Sequence, residues 1–470
     1  MSFLDAKIVP AVFREYDIRG IVGRDLNSDF AELLGLGYAK YLGKKQTVAV
    51  GRDCRLTSDE YADALIRGLR LGGLDVFSIG VCPTPVTSFS LFHYDLGGAI
   101  MITGSHNSRD YNGFKISVGR DTLHGEQIQE IRRQMEAALK EGAPTGQGDL
   151  TEKEIIPFYI DYLLKIARPL KKKKIVVDSG NGTAGSVAPE LFKLLGADVV
   201  SLFGVLDGTF PNHHPDPTIS SNLKHLVSEV KKEHADFGVA FDGDADRIVI
   251  VDENGRIFFG DELMVLLARD VLAENKGATI ISDVKCSHRL YNDITARGGR
   301  AIMWKAGHSL IKSKMKEEKA LLAGEMSGHI FFSDRYFGFD DAIYAALRVY
   351  EIASKADAPL SRLLNDLPPS ICTPEIRIDC VEEKKFALAE EAKNILRKLP
   401  YSINDIDGVR VDFGDSWGLI RASNTQPALV LRFEAPTAKR LEEIRTVFET
   451  ALDDAAIKIG HPKIDTRSES

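Results

Sequence analysis

Short apolar runs that break into a Gly-, Ser- or Asp-rich turn and then a helical pattern recur along this chain. That rhythm limits its fold more than any other feature. Thr47–Val50 leads into GRDCRLTS, and Gly97–Thr103 into a small-residue turn. Lys174–Val177 precedes DSGNGTAG, Asp236–Phe241 precedes DGDADR, and Thr279–Asp283 opens another such unit. Strands alternating with helices give α/β layers around buried, mostly parallel sheet. In such sheets ligands collect beyond the carboxyl ends of the strands, where these polar turns fall. The last hundred or so residues read differently: EIRIDC, GVRVDF, WGLIRAS and ALVLRFEA are strand-like, with helical patterns near Lys384–Lys398 and Lys439–Ile457. This predicts a separate α+β unit.

A chain of 470 residues is too long for one core, since single cores stop growing near ~250–300 residues. Breaks are expected near Gly142–Thr151, near Asn254–Gly260 and at the tandem prolines Pro368–Pro369. Lys+Arg 60 against Asp+Glu 68 gives a net charge of −8, which disfavours a general nucleic-acid binder but leaves small anionic substrates open. Cys54, Cys82, Cys286, Cys372 and Cys380 form no CxxC pair and read as reduced thiols of a cytoplasmic protein. The N-terminus has no secretory h-region, and no stretch approaches the ~20 apolar residues of a membrane span.

Four turns carry chemistry. In Asp242-Gly-Asp244-Ala-Asp246-Arg247, alternate residues of an extended segment would aim three carboxylates at one point. Such a cluster needs a cation, and hard oxygen ligands suit Mg²⁺ or Ca²⁺. An EF-hand is disfavoured although Glu253 stands at its position 12, because Arg247 occupies position 6, where that loop needs Gly, and the flanks read as strands. In Thr103-Gly-Ser105-His106-Asn107, Ser105 sits at a strand end; a free hydroxyl is a weak nucleophile needing a base or metal. His106 is adjacent, although sequence neighbours on a turn often diverge. Arg421-Ala-Ser423-Asn424-Thr425 offers a guanidinium fork, hydroxyls and an amide, which suit a terminal phosphate. Glu325, Ser327 and His329 in GEMSGH offer donors and acceptors for sugar hydroxyls. Two spellings are set aside. GNGTAG at 180–185 mimics a dinucleotide fingerprint with nothing else to support hydride transfer, and Gly414-Asp-Ser416-Trp-Gly418 lies between strands, unlike a nucleophile elbow.

These motifs, with FREYDIRG, KAGHSLIK and RASNTQP in the same order, resemble the α-D-phosphohexomutase superfamily, and within it the bacterial phosphomannomutase/phosphoglucomutase branch, along essentially the whole chain. The resemblance implies four domains around a central cleft: three similar α/β domains with mixed, largely parallel sheets (1–150, 151–256, 257–368) and a C-terminal α+β domain (369–470). Each gives one loop. It implies a phosphoryl group on Ser105, primed by a hexose 1,6-bisphosphate, and one Mg²⁺ held by Asp242, Asp244, Asp246 and the phosphoserine. It implies Arg247 on that phosphoryl group, Glu325, Ser327 and His329 on the sugar, and Arg421, Ser423, Asn424 and Thr425 on the distal phosphate. Tyr16, Arg19, Lys115, Lys285 and His308 map onto further active-site positions. The reaction so implied is reversible transfer between C1 and C6 of mannose or glucose phosphates, by a cytoplasmic protein more simply monomeric than oligomeric. Lys115, His308 and His329 are the candidate proton acceptors. Where the family serine loop usually reads TGSHNP or TASHNP, this chain has Ser108, which predicts a looser loop because proline would fix φ. A phosphoglucosamine mutase of the same fold is the alternative, against which Met326 and Asn424 speak. A sugar-phosphate- or nucleotide-binding regulator without turnover is the other, against which the intact Ser105 speaks.

Overall fold

A computed structural model describes residues 6–142, 146–381, 383–423 and 428–462. It contains four sheets in chain order. The first runs Ile18–Ile21, Tyr111–Val118, Gly98–Ile102, Thr47–Arg52, Asp75–Val81, Leu150–Glu152, with Asp121–Thr122 on the side of Tyr111–Val118. The second runs Ile257–Phe258, Ile248–Asp252, Phe237–Phe241, Lys174–Asp178, Asp198–Leu202, and the third Arg300–Trp304, Thr279–Asp283, Leu322–Gly324, Ile330–Phe332. All three are mixed: a parallel centre ends in antiparallel pairs. The fourth sheet pairs only antiparallel and is flanked by helices Lys385–Leu396 and Ala438–Lys458. Short strands at two of the expected breaks pair with the preceding sheet. Residue 150 lies in a strand hydrogen-bonded in register with Val76–Ser78, and Ile257–Phe258 still pairs with Ile250–Val251 of the second sheet.

Local sequence explains the elements. Lys174–Asp178 is β-branched at its centre and buried on both faces, so it reads as a continuous apolar run rather than an alternation. Helix Ser28–Leu42 starts where the Asn27 side chain accepts from the Phe30 N–H and stops at Gly43, whose φ of 65° ends it in the left-handed region. A continuous apolar core links the first three units, joining Val86 and Phe89 to Val177 and Phe241 and on to Leu267, Ile280 and Ile330. The fourth has a core of its own around Ile420, Leu431 and Phe448. It meets the third through Val284, Trp417 and Leu419 and through two buried arginines. Arg410 donates to the carbonyls of Val284 and Cys286, and Arg432 to that of Lys285.

The first three units each send one turn between antiparallel neighbours toward the middle, 103–110, 242–247 and 325–329, and the fourth brings the end of its strand Trp417–Ala422 there. GNGTAG also has its use here. The Thr183 N–H donates to the carbonyl of Gly243 (3.0 Å), and a Cβ on Gly182 would stand 2.6 Å from that oxygen. A Cβ on Gly243 would in turn stand 2.5 Å from the carbonyl oxygen of Ser105. Three backbones thus stack without side chains between them. Gly182→Ala is expected to lower stability by about 1–3 kcal/mol through this overpacking, read as a lower urea midpoint. An unchanged midpoint would show that the loops are not in this contact.

Candidate active site

The metal-type loop is built by a turn, not by strand alternation. The N–H groups of Asp246 and Arg247 both donate to Asp242 Oδ1 (3.1 and 3.2 Å), and Ala245 takes a positive φ of 59°. The chain folds around the first carboxylate, and Asp242, Asp244 and Asp246 offer oxygens within 4.8 Å of one another, all three side chains buried. Like charges at that spacing repel by roughly 3–4 kcal/mol per pair at an effective dielectric of 20. Burial and this repulsion push the Asp242 carboxyl well above its ordinary range. Burial acts the same way on Asp244, but Lys115 beside it reverses the sign and holds it low. The Lys115 ammonium donates to Asp244 Oδ2 (2.6 Å) and to Asp246 Oδ2, and Thr84 Oγ1 also donates to Asp244 Oδ2 (2.6 Å). Burial would lower Lys115, yet the attraction of the carboxylates raises it, so the amine stays charged. Asp244 Oδ1 and Asp246 Oδ1 are buried without a hydrogen-bond partner. An all-oxygen set with two unsatisfied anionic acceptors fits a hard divalent cation.

Ser105 stands directly across from this loop. Its Oγ donates to Asp242 Oδ2 (2.8 Å) and lies 3.1 Å from His106 Nδ1, so the adjacent histidine does reach the hydroxyl. Burial and the nearby Arg247 and Arg19 hold His106 well below its usual pKa. Ser105 has a positive φ of 48°, an uncommon conformation for a residue with a Cβ. Its surroundings hold it there. Arg55, buried and unsuspected from sequence, donates to the carbonyls of Ser105 (2.7 Å), Asn107 (2.6 Å), Ser108 (2.6 Å) and Tyr111 (2.9 Å), and packs over the Phe210 ring of the second unit (5.1 Å). Asp53 orients it through Nε (3.1 Å). Arg19 adds bonds to the Gly104 carbonyl (2.8 Å) and the Asn107 side chain (2.5 Å). The looseness expected from Ser108 is therefore countered, because a guanidinium now fixes the carbonyl of the residue standing in proline's place.

The third and fourth loops close the ring. Ile248 N–H donates to the Gly328 carbonyl (3.1 Å), and Arg247 Nε donates to His329 Nε2 (3.0 Å), tying GEMSGH to DGDADR. Glu325 Oε1 accepts from the Gly307 N–H (2.5 Å); burial raises its carboxyl. Tyr16 donates to the Ala306 carbonyl (2.7 Å), bringing the first unit onto the KAGHS loop, and its ring meets His308 edge-on at 5.8 Å. Burial, despite Asp340, holds His308 well below its usual pKa. Lys285 pairs with Glu375 (3.1 Å), and Arg421 with Asp407 (3.0 Å), which also accepts from the Ala306 N–H (3.0 Å). Ser327 and Ser423 line the same cleft; Asn424 and Thr425 lie outside the described residues. Arg55, Asp340, Glu375 and Asp407 are participants that no motif reading supplied. The polar turn GRDCRLTS after Thr47–Arg52 marked the loop that carries Arg55 but not its partners.

The cleft measures about 1330 Å³ and takes Ser105, Arg247, Lys285, Glu325 and Arg421 from all four units. Three α/β units and one α+β unit, each contributing residues to one basic cleft, define the architecture of the α-D-phosphohexomutases. Residues 10–141, 157–255 and 259–371 match the phosphoglucomutase/phosphomannomutase alpha/beta/alpha domains I, II and III, and 375–451 the C-terminal domain of that family. The chain is 47% identical over 455 residues to a phosphomannomutase/phosphoglucomutase of Pseudomonas aeruginosa, covering 96% of this chain and 98% of that one. It is 46% identical over 457 residues to a phosphoglucomutase of Neisseria meningitidis, covering 95% and 98%. A crystal structure of a phosphoglucomutase/phosphomannomutase family protein from Burkholderia thailandensis superposes with a TM-score of 0.90 at 38% identity, covering 98% of this chain and 99% of that one. The chain belongs to the phosphoglucomutase/phosphomannomutase family.

Arg55→Lys is expected to cost at least about tenfold in kcat, equivalent to ~1.4 kcal/mol of barrier, with KM little changed. One ammonium cannot satisfy the four carbonyls that the planar fork reaches. Steady-state kinetics checks this; a wild-type kcat would mean that the clamp does not position the serine.

Proposed function

We propose that Ser105 is the phosphoryl carrier in the reaction this enzyme catalyses, reversible transfer between C1 and C6 of a hexose phosphate through a 1,6-bisphosphate. The observation that carries this is the approach of Ser105 Oγ to 2.8 Å from Asp242, inside a cleft rich in cationic side chains. Asp242, Asp244 and Asp246, with the phosphorylated serine, would hold Mg²⁺. When bound, that ion supplies charge neutralisation at the phosphoryl oxygens. Phosphoryl transfer needs little covalent help from the protein; it needs in-line positioning and positive charge around a loose transition state. Arg247, freed from His329, is placed to supply such charge to the equatorial oxygens. Lys115, which donates to Asp244 and Asp246, is placed to supply further positive charge. His329 takes the proton of the attacking sugar hydroxyl, because its Nε2 is an acceptor that faces the cleft beside Arg247.

Glu325 and Ser327 bind sugar hydroxyls, and Lys285, Arg421, Ser423, Asn424 and Thr425 hold the distal phosphate, with Tyr16, Arg19 and His308 completing the walls. Ligand pockets usually span ~300–1,000 Å³, and this cleft is larger, which leaves space for a bisphosphate to turn end for end. The names of the relatives support mannose and glucose phosphates as substrates. The five thiols are free and no helix among the described residues could cross a membrane, in keeping with a cytoplasmic protein, which we take to act as a monomer.

Mannose 1-phosphate and glucose 1-phosphate should both turn over with Mg²⁺ and a trace of glucose 1,6-bisphosphate, and glucosamine 1-phosphate far more slowly. Chelation should abolish turnover and Mg²⁺ restore it. Ser105→Ala should be inactive and lack the about 80 Da that one phosphoryl ester adds to the wild type. Full activity of Ser105→Ala would end the phosphoserine reading, and preference for the amino sugar would move the enzyme to the phosphoglucosamine branch.

A further inference from the structure

His329 is fixed from both sides. Arg247 Nε carries only a donor, so His329 Nε2, 3.0 Å away, must accept. A neutral imidazole then has its single proton on Nδ1. That nitrogen points into a buried pocket between two carboxylates: Asp340 Oδ2 at 3.3 Å and Asp246 Oδ1 at 3.6 Å. His329 Nδ1 and Asp340 Oδ2 have no other hydrogen-bond partner and both are buried, whereas Asp246 Oδ1 belongs to the set that would hold the cation. Burying polar groups unpaired is costly, and the nearer carboxylate open to the imidazole is Asp340. Catalytic hydrogen bonds that are long in a free enzyme commonly shorten when substrate binds.

Asp340 belongs to neither a recognised motif nor the main cleft. It lies on a small cavity shared with Lys115, His308 and Lys312. Its other oxygen accepts from Lys312 Nζ (3.2 Å), which also donates to Thr122 Oγ1 (2.7 Å) in the first unit. Burial would raise its carboxyl, but Lys312 and the two histidines hold it well below the ordinary range. The chain Lys312, Asp340, His329, Arg247 is thus charged at both ends and polarised toward the cleft. His308 Nδ1 also faces Asp340 Oδ2, at the longer distance of 3.6 Å.

We infer that Asp340 is a positioning residue that holds His329 as its Nδ1–H tautomer, leaving Nε2 as the atom that receives the hydroxyl proton. This rests on the reading of His329 as proton acceptor given above. In the step, the sugar hydroxyl oxygen forms a bond to the phosphorus of phosphoserine 105 while the bond from phosphorus to Ser105 Oγ breaks, its electron pair staying on Ser105 Oγ. The hydroxyl proton passes to Nε2 once Arg247 has turned to the phosphoryl oxygens. The resulting imidazolium keeps Nδ1–H toward Asp340. The same arrangement run backward returns the proton to a sugar oxygen.

The test uses phosphorylated, Mg²⁺-loaded enzyme labelled with ¹⁵N-histidine, with His329→Gln supplying the assignment. Wild type should show His329 protonated at Nδ1. In Asp340→Asn the amide N–H₂ can donate to Nδ1, so the proton should move to Nε2 and kcat should fall by roughly 10²-fold, with KM held within about twofold. In a His329→Gln background the same change should remove no further kcat. A wild-type His329 protonated at Nε2 overturns the inference, and needs no variant of Asp340 to fold. Losses that multiply in the double variant overturn it as well, showing Asp340 to act elsewhere. His329→Gln with wild-type kcat would end the proton-acceptor reading itself, and the catalytic meaning of Asp340 with it, even where the Nδ1–H tautomer is found.

Discussion

Mutual repulsion among three buried aspartates is the constraint to which the rest of this structure answers. Asp242, Asp244 and Asp246 are taken out of water at a separation that no pair of carboxylates tolerates alone. Each neighbour supplies positive charge or a donor: Lys115 from the first unit, backbone N–H groups from the loop itself, Thr84 from the helix after Asp75–Val81. Lys115 and Thr84 belong to the first unit and the aspartates to the second, so the repulsion is met only where the two units are joined.

Guanidinium groups do much of the remaining work, and they do it on backbone carbonyls as well as on acids. Arg55 and Arg19 gather the carbonyls of the serine loop; Arg410 and Arg432 gather those of Val284, Lys285 and Cys286. A planar fork of five donors with no acceptor suits a loop whose carbonyls all turn inward. Carbonyl-rich turns are what result when hydroxyls and carboxylates are presented from strand ends. The arginines therefore complement the loops that line the cleft.

Much of this was legible in the sequence, in an uneven way. The strand runs and the four polar turns could be read because buried parallel strands are continuous apolar runs and the turns that follow them are compositionally distinct. Asp242, Asp244 and Asp246 were legible as a cluster, although by the wrong geometry: spacing of two suggested an extended segment, and the chain instead turns around Asp242 Oδ1. Arg55 and Asp340 were not legible as participants. Their meaning lies in partners 50 or more residues away for Arg55 and in a histidine and a lysine of the same unit for Asp340, and nothing local to Gly-Arg-Asp-Cys-Arg or Gly-Phe-Asp-Asp encodes those contacts. The glycines of GNGTAG carried a true signal of close backbone approach, but the body approached is the metal-type loop and not a pyrophosphate.

The last unit has its own core and yet holds three consecutive carbonyls of its neighbour, on either side of and including Lys285. Lys285 itself follows the third-unit strand Thr279–Asp283, whose Ile280 packs into the core shared with the first two units. The seam between the third and fourth units is therefore a row of backbone carbonyls capped by guanidinium groups, and it lies directly beneath a lysine that lines the cleft.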